Sequence, residues 1–260
     1  MKGAIVGDII GSRWEFNNTF RYDFELFSEH NAFTDDTICT IAIADAIINK
    51  GSYRDYLLKW CRKYPNPKGA YGGSFGRWII SPHPQPYNSF GNGAAMRISP
   101  VGFAFDTEMA LIESDKATGC THNHSEGLKG ASSIASCIRC ILNGGSKGHV
   151  NRILCEDYGT DYETRIPKRG MFDETCQGTV PLSIHLFLES NDFEDAIRKA
   201  VSYGGDSDTV GAIVGGLAEA FYGVPEWIWQ KAESYLPEEM KSVISKFYKE
   251  AVLDRRLPVI

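Results

Sequence analysis

The sequence has no long hydrophobic run, no clustered basic stretch and no regular set of paired cysteines. No stretch approaches the roughly 20 apolar residues of a membrane-spanning helix, and Asp8 soon interrupts the apolar segment after Lys2. We therefore expect no signal peptide, no membrane association and a cytoplasmic protein. The net charge of −6 argues against a surface for nucleic acid, so no stable nucleic-acid complex is expected.

The 7 cysteines are odd in number and scattered, which is not typical of a disulfide framework. Cys137 and Cys140 form a C-x-x-C pattern, but they lie in a helical stretch without a second pair. Cys120, His122 and His124 lack a convincing fourth zinc ligand. Ordinary helix-face cysteines and loop histidines explain both patterns better than zinc does.

Apolar residues recur at spacings of three and four along most of the chain, and no pair of alternating strands is visible. This periodicity predicts an all-α fold of about ten helices in one domain, residues 1–260. Segments 62–88 and 143–175 are predicted to be largely irregular, and Ser125 is the expected cap of one long helix. The later predicted helices cover residues 106–118, 179–188, 192–202, 210–222, 225–235 and 237–253.

Glycines recur every four residues at Gly3, Gly7 and Gly11, so one face of the first helix is thin enough to pack closely on a neighbour. We therefore expect the N-terminal helix to be central. Glu15 follows it between two aromatic residues. A carboxylate in apolar surroundings costs free energy unless it is paired, protonated or bound to a metal, so Glu15 is either a surface residue or a functional one.

Two predicted helices begin with acidic clusters, Thr34-Asp35-Asp36-Thr37 and Asp206-Ser207-Asp208-Thr209. Such residues are common helix caps, and carboxylates there interact favourably with the helix dipole. The same oxygens can also converge on a hard cation. Paired aspartates place more like charge at one point than capping needs, which favours a cation. A third segment, Gly91-Asn92-Gly93, is either a tight turn or a site for phosphate or ribose oxygens.

Walker A, G-x-S-x-G and H-E-x-x-H motifs are absent from the sequence. Instead, five segments together resemble the ADP-ribosylglycohydrolase family, in the family's order and from residue 3 to about residue 223. They are Gly3 to Asp8 with Glu15, Thr34 to Thr37, Gly91 to Arg97, Thr121-His122, and Gly204 to Thr209.

The resemblance implies an all-α orthogonal helical bundle with two divalent ions, Mg²⁺ or Mn²⁺. The ligands implied for these ions are Thr34, Asp35, Asp36, Asp206, Asp208 and Thr209. Oxygen donors without cysteine or histidine suit magnesium or manganese better than zinc, which supports this transfer independently. Four carboxylates would balance the charge of two dications.

The resemblance also implies hydrolysis of the glycosidic bond at the anomeric carbon of ADP-ribose. The acceptor released would be a protein side chain such as arginine or serine, a nucleobase, or the acetyl group of O-acetyl-ADP-ribose. Glu15 or Asp36 would move the proton, and Phe90 would stack on adenine. The implied substrate-binding residues are Ser89, Phe90, Gly91, Asn92, Gly93, Met96 and His122.

Two other functions are compatible with the residues. One is a non-catalytic ADP-ribose-binding module, or a structural relative like the lens crystallins that resemble this family. Intact Glu15 and the four aspartates count against it. The other is a helical metal-dependent phosphohydrolase acting on a nucleotide. The acceptor, the identity of the general base, the choice between Mg²⁺ and Mn²⁺ and the oligomeric state stay open at this level.

Overall fold

The computed structural model describes residues 1–252, and within them the prediction of an all-α fold is confirmed. These residues form thirteen α helices, somewhat more than the ten expected, and no β-sheet. The helices are α1 (Lys2–Gly11), α2 (Asp35–Asn49), α3 (Tyr53–Lys63), α4 (Gly73–Ile80), α5 (Ser99–Ala104), α6 (Thr107–Gly119), α7 (Ser125–Leu142), α8 (Lys147–Tyr158), α9 (Cys176–Leu188), α10 (Phe193–Tyr203), α11 (Ser207–Tyr222), α12 (Glu226–Glu233) and α13 (Glu238–Glu250).

Two of the three additional helices lie in the two segments that the sequence analysis took as irregular, and the third is the short helix α5. Helix α4 falls in residues 62–88, and α8 and a short 3-10 helix fall in residues 143–175. Val150, Leu154 and Tyr158 are buried at four-residue spacing, a helical pattern that the neighbouring glycines and charges obscured. The last predicted helix ends at Glu250, and Leu253 lies outside the described residues.

The cap of α7 is also different from the prediction. Ser125 is the first residue of the helix, and the Nδ1 atom of His124 accepts the hydrogen bond from the Glu126 backbone N–H, at 3.1 Å. The ring nitrogen of His124 therefore caps the helix, the role that was predicted for the hydroxyl of Ser125.

Helices α1 and α11 run antiparallel in backbone contact at the centre of the fold. Gly3 faces Gly215, Gly7 faces Gly211, and Gly11 faces Ser207. A Cβ atom added at Gly7 would lie only 1.9 Å from the carbonyl oxygen of Gly211. The contact therefore requires glycine, and it brings the end of α1 beside the start of α11.

The rest of the bundle surrounds this pair. Helix α11 packs against α7, α9 and α10, while α2 packs against α1, α3 and α13. Ile5, Ile9, Ile38 and Ile41 are completely buried in the shared core. Within residues 1–252, no helix combines the length and apolar character needed to cross a membrane.

Candidate active site

Three chain segments converge at one cavity: the turn after α1, the start of α2 and the start of α11. Because α1 and α11 are antiparallel, Glu15, just beyond α1, comes to lie beside Asp206 and Asp208. One carboxylate oxygen from each of these three residues lies within 4.8 Å of the others. Asp206 and Asp208 are buried and Glu15 is half-buried.

Asp8 fixes the start of α2 against α1. Its buried carboxylate accepts hydrogen bonds from the backbone N–H of Thr34 and of Thr37, both at 3.0 Å. It also accepts from the hydroxyls of both threonines. These bonds offset part of the burial that raises the pKa of Asp8 to about 6. The sequence analysis included Asp8 in the segment Gly3 to Asp8 but did not predict that it fixes the start of α2. An acidic residue within an otherwise apolar helix could have indicated such a role.

The predicted metal ligands fall into two groups. Asp35, Asp36, Asp206, Asp208 and Thr209 all line the cavity. Thr34 is fully buried behind it, where its hydroxyl donates to Asp8 at 2.7 Å and accepts from the backbone N–H of Asp36 at 3.2 Å. The structure therefore places Thr34 as the N-cap of α2, and its role as a metal ligand stays a prediction.

Buried negative charge without enough donors dominates the electrostatics of the cavity. Burial, and next the charge of Asp206, raises the pKa of Glu15 to about 7. Burial and neighbouring carboxylates hold the pKa of Asp36 and of Asp208 well above the usual range. The buried atoms Glu15 Oε2, Asp36 Oδ2 and Asp208 Oδ1 have no hydrogen-bond partner. Such an all-oxygen set of unsatisfied acceptors fits a hard divalent cation.

The other side of the cavity, whose volume is about 310 Å³, is formed largely by the loop that the sequence analysis assigned to substrate binding. Ser89, Gly91, Asn92, Gly93, Met96 and His122 line it. Phe90 does not; its side chain is 43% exposed and packs edge-on against His124, with ring centroids 5.2 Å apart. Residues 69–75 and Arg97 also line the cavity and were not predicted as site residues.

Asn92 connects this loop to the carboxylates. Its side-chain amide donates to Asp206 Oδ2 at 2.6 Å and to the Thr179 hydroxyl at 3.2 Å. Its backbone N–H donates to the carbonyl oxygen of Glu174 at 2.7 Å. The residue therefore orients a carboxylate of the cluster.

His122 is held as a neutral imidazole. Burial, and next the charge of Arg97, keeps its pKa well below the usual range. The guanidinium of Arg97 donates to the Thr121 hydroxyl at 2.6 Å, and that hydroxyl lies 2.7 Å from His122 Nδ1. The Thr121 hydroxyl hydrogen has two possible acceptors, His122 Nδ1 at 2.7 Å and the carbonyl oxygen of Thr118 at 3.3 Å. Donation over the shorter distance makes Nδ1 the acceptor, so that Nε2 carries the ring hydrogen. His122 thus offers a donor beside Gly93, in the cavity.

A profile of the ADP-ribosylglycohydrolase family matches residues 1–256. The chain belongs to the ADP-ribosylglycohydrolase family. This membership confirms the resemblance drawn from the five segments, and the prediction that the chain is an ADP-ribosyl hydrolase.

Relatives within the family have low sequence identity to this chain, but their alignments cover most of it. The ADP-ribosyl-[dinitrogen reductase] glycohydrolase of Rhodospirillum rubrum is 25% identical, over 97% of this chain and 95% of its own length. The ADP-ribosylarginine hydrolase Tri1 of Pseudomonas putida (strain GB-1) is 24% identical, over 92% of this chain and 76% of its own length. The ADP-ribosylhydrolase ARH3 of Homo sapiens is 23% identical, over 90% of this chain and 88% of its own length.

A solved structure described as an ADP-ribosylglycohydrolase-related protein complex shares the fold. It superimposes with a TM-score of 0.74 at 24% sequence identity, over 96% of this chain and 95% of its own.

The two weaker metal patterns in the sequence do not assemble into sites. Among residues 1–252, Glu15, Asp206 and Asp208 form the only group of three or more potential ligand side chains close enough to share an ion. All seven cysteines are free, and Cys137 is buried in α7. His124 serves as a helix cap.

Proposed function

We propose that this member of the ADP-ribosylglycohydrolase family is a binuclear-metal-dependent hydrolase that cleaves the bond between an acceptor and the anomeric carbon of ADP-ribose. The observation that carries the proposal is the set of unpartnered buried oxygens on Glu15, Asp36 and Asp208. Stabilising so many carboxylates in one buried place requires positive charge. Lys68 lies close enough to affect Glu15 and Asp208 electrostatically, but among residues 1–252 no cationic side chain forms an ion pair with any carboxylate of the cluster.

The residues that would hold two Mg²⁺ or Mn²⁺ ions are Asp35, Asp36, Asp206, Asp208 and Thr209, with Thr34 supporting them through the α2 cap. When bound, the ions would supply Lewis-acid charge that orients ribose hydroxyls and polarises water. Carboxylates near the anomeric carbon stabilise the oxocarbenium-like charge that develops as the acceptor leaves.

Glu15 is our first choice for the group that moves the proton. It lies beside Asp206 and Asp208 at the cavity, and its oxygen Oε2 has no hydrogen-bond partner, so this oxygen can take a proton from water held in the cavity. Asp36 is the alternative, because it too presents an unpartnered oxygen at the cavity. Asn92 positions Asp206 directly through its hydrogen bond, and Asp8 fixes the start of α2, which carries Asp35 and Asp36, through its bonds to Thr34 and Thr37.

The ADP-ribose moiety would occupy the side of the cavity between Ser89 and Met96. The Nε2–H of His122 and the backbone of Gly91 and Gly93 offer donors for phosphate and ribose oxygens there. Phe90 is exposed at the edge of this loop, and its stacking on adenine stays a prediction.

The deciding experiment is a hydrolysis panel. It uses ADP-ribosyl-arginine, ADP-ribosyl-serine, ADP-ribosylated DNA and O-acetyl-ADP-ribose, each with Mg²⁺, with Mn²⁺ and with chelator. We expect ADP-ribose release that is lost with chelator and reduced at least a hundredfold by Asp206→Ala. Asp115→Ala, an exposed aspartate of α6 away from the cavity, is the matched control and should retain activity.

Two outcomes would contradict the proposal. Phosphate release from a nucleotide without release of ADP-ribose would select the phosphohydrolase. Binding of ADP-ribose measured by calorimetry, with no turnover of any substrate, would select a binding module.

A further inference from the structure

A second cavity lies at the far end of α2, away from the carboxylate cluster. It forms where the end of α2 and the start of α3 meet α6, and its volume is about 620 Å³. Small-molecule sites have volumes of about 300–1,000 Å³. Within the described part of the chain, the two cavities share no lining residue. Helix α2 has 15 residues, so roughly 20 Å separates the ends at which they lie.

Part of the wall of this second cavity is apolar. Ala46 and Ile47 of α2 line it, together with Phe105 just after α5. Ile47 and Phe105 are only half-buried, so they present apolar surface there. A concave apolar wall with a few polar groups is typical of sites that bind the body of a small organic molecule.

The charged side chains of the second cavity are mostly positive. Within residues 1–252, Lys50, Arg54 and Lys116 line it, against one carboxylate, that of Glu113. Two positive charges therefore remain once Glu113 is balanced, on a chain whose net charge is −6. An excess of positive charge in a concave site attracts anions.

Glu113 already has a partner for each of its carboxylate oxygens. Oε2 accepts a hydrogen bond from the Tyr53 hydroxyl at 2.6 Å, and Oε1 accepts one from Lys116 Nζ at 2.7 Å. These bonds join α6 to the start of α3. An anion that enters the cavity would therefore meet a carboxylate whose charge Lys116 already balances.

Lys50 and Arg54 are the two cations that remain for a ligand. Both side chains are exposed, and among residues 1–252 Lys50 forms no ion pair. Arg54 Nε lies 3.0 Å from Oδ1 of its exposed neighbour Asp55. An exposed pair of this kind contributes little free energy, so the guanidinium can bind another anion instead.

We propose that the second cavity binds a phosphate monoester with an aromatic or other apolar body. A phosphate monoester carries between about 1.5 and 2 negative charges at neutral pH, which matches the positive charges of Lys50 and Arg54. The planar guanidinium binds two phosphate oxygens, and the lysine adds a point charge. The apolar body packs on Ile47 and Phe105. This site is separate from the hydrolase function proposed above and does not depend on it.

Calorimetry with phenyl phosphate tests the site, using the full chain with Mg²⁺ and again with chelator. Without metal the carboxylate cavity repels phosphate, so the experiment with chelator reports the second cavity alone. We expect a Kd of roughly 0.1–1 mM, the size set by ordinary ligand efficiency for so small a ligand. Inorganic phosphate, phenol and phenylacetate should each bind at least about tenfold more weakly, because each lacks the phenyl ring, the charge or the second negative charge.

Two substitutions remove the cations one at a time. Lys50→Asn and Arg54→Gln should each raise the Kd for phenyl phosphate by about tenfold, the size of one hydrogen bond to a charged group. Asparagine is chosen because Lys50 has a φ of 51°, in the left-handed region that asparagine tolerates. Thermal unfolding of each variant checks that it still folds.

Three control variants leave the second cavity intact. Lys246→Gln and Arg165→Gln each remove an exposed cation that lines neither cavity. Asp206→Ala removes a carboxylate of the cluster. All three should leave the Kd for phenyl phosphate measured with chelator unchanged.

Cys120 reports the location of the ligand without any substitution. It is half-buried and lines the second cavity, whereas Cys140, also half-buried, lies in α7 outside it. Phenyl phosphate at about ten times its Kd should slow alkylation of Cys120 by iodoacetamide about tenfold, by mass action. Alkylation of Cys140, followed by mass spectrometry of the same digest, should not change.

The outcomes decide between this site and its alternatives. Binding that is lost with chelator, or an unchanged Kd in Lys50→Asn and Arg54→Gln, would overturn the second cavity as the site. So would alkylation of Cys120 that phenyl phosphate does not slow. Equal affinity for inorganic phosphate or phenylacetate would overturn the assignment of a phosphate monoester. Absence of any binding would overturn the inference and leave the proposed hydrolase, which the substrate panel tests, standing.

Discussion

At the scale of single residues, the geometry of the carboxylate cluster depends on the neighbouring side chains that hold the carboxylates in place. Asp8 accepts four hydrogen bonds that fix the α2 cap, and Asn92 holds Asp206 by a bond of 2.6 Å. Side chains of this kind set the orientation of metal ligands, and removing one commonly lowers the affinity for the metal by 10–100-fold. Substituting one of them should therefore weaken metal binding even though every metal-ligating residue is unchanged.

Replacing Asn92 tests this support. Because Asn92→Ala removes the donor that orients Asp206, we expect the concentration of Mg²⁺ needed for half-maximal activity to rise by roughly 10–100-fold. A titration of activity against free Mg²⁺ measures it. Asn191→Ala, which changes an amide bonded to Asp195 in α10, is the control and should leave the midpoint in place. An unchanged midpoint for Asn92→Ala would show that Asp206 needs no such support.

At the scale of elements, the α1–α11 contact decides where the site forms. The four-residue repeat of glycines is readable in the sequence, and it correctly predicted a thin, central first helix. Its partner was not readable, since the glycines of α11 alone do not say which helix they face. Only the folded chain pairs Gly7 with Gly211 and so places Glu15 beside Asp208.

A methyl group in this contact should be costly. Gly7→Ala would place Cβ 1.9 Å from the Gly211 carbonyl oxygen, so the two helices must separate. We expect the free energy of unfolding to fall by about 3 kcal/mol or more, at the upper end of overpacking effects. Chemical denaturation monitored by circular dichroism measures the loss.

The matched control is Gly148→Ala in α8, where the nearest heavy atom to an added Cβ is Ser146 Oγ at 3.5 Å. Alanine is the better helix former by roughly 0.5–1 kcal/mol, so this variant should be neutral or slightly more stable. Equal effects at the two glycines would contradict a close contact between α1 and α11.

At the scale of the whole molecule, the carboxylate cluster couples stability to pH and to divalent cations. The folded pKa of Glu15, about 7, and of Asp8, about 6, both exceed their ordinary values of 4.5 and 3.8. Between the ordinary and the raised values the folded chain binds more protons than the unfolded chain. These groups therefore favour folding at low pH and lose that contribution as pH rises toward 7.

Mg²⁺ should reverse this loss, because it binds the deprotonated cluster. We expect the increase in Tm caused by saturating Mg²⁺ to grow from pH 5 to pH 8 and to reach roughly 5–10 °C. Thermal unfolding with Mg²⁺ or with chelator, across that range, measures it. Asp208→Ala should show a smaller increment at every pH. An increment that is constant or shrinks with pH would contradict a metal site built from these carboxylates.

The helical class, the two acidic helix starts and the family could all be predicted from the sequence, because they depend on local spacing and on short ordered segments. Thr34 to Thr37 and Asp206 to Thr209 lie at helix starts as predicted. The packing of the folded chain was needed to show that these starts meet at Glu15, that Thr34 faces Asp8, and that Phe16 stacks on Phe172. Each of these contacts joins residues far apart in the chain, and their distances depend on how whole helices pack, which no local pattern records.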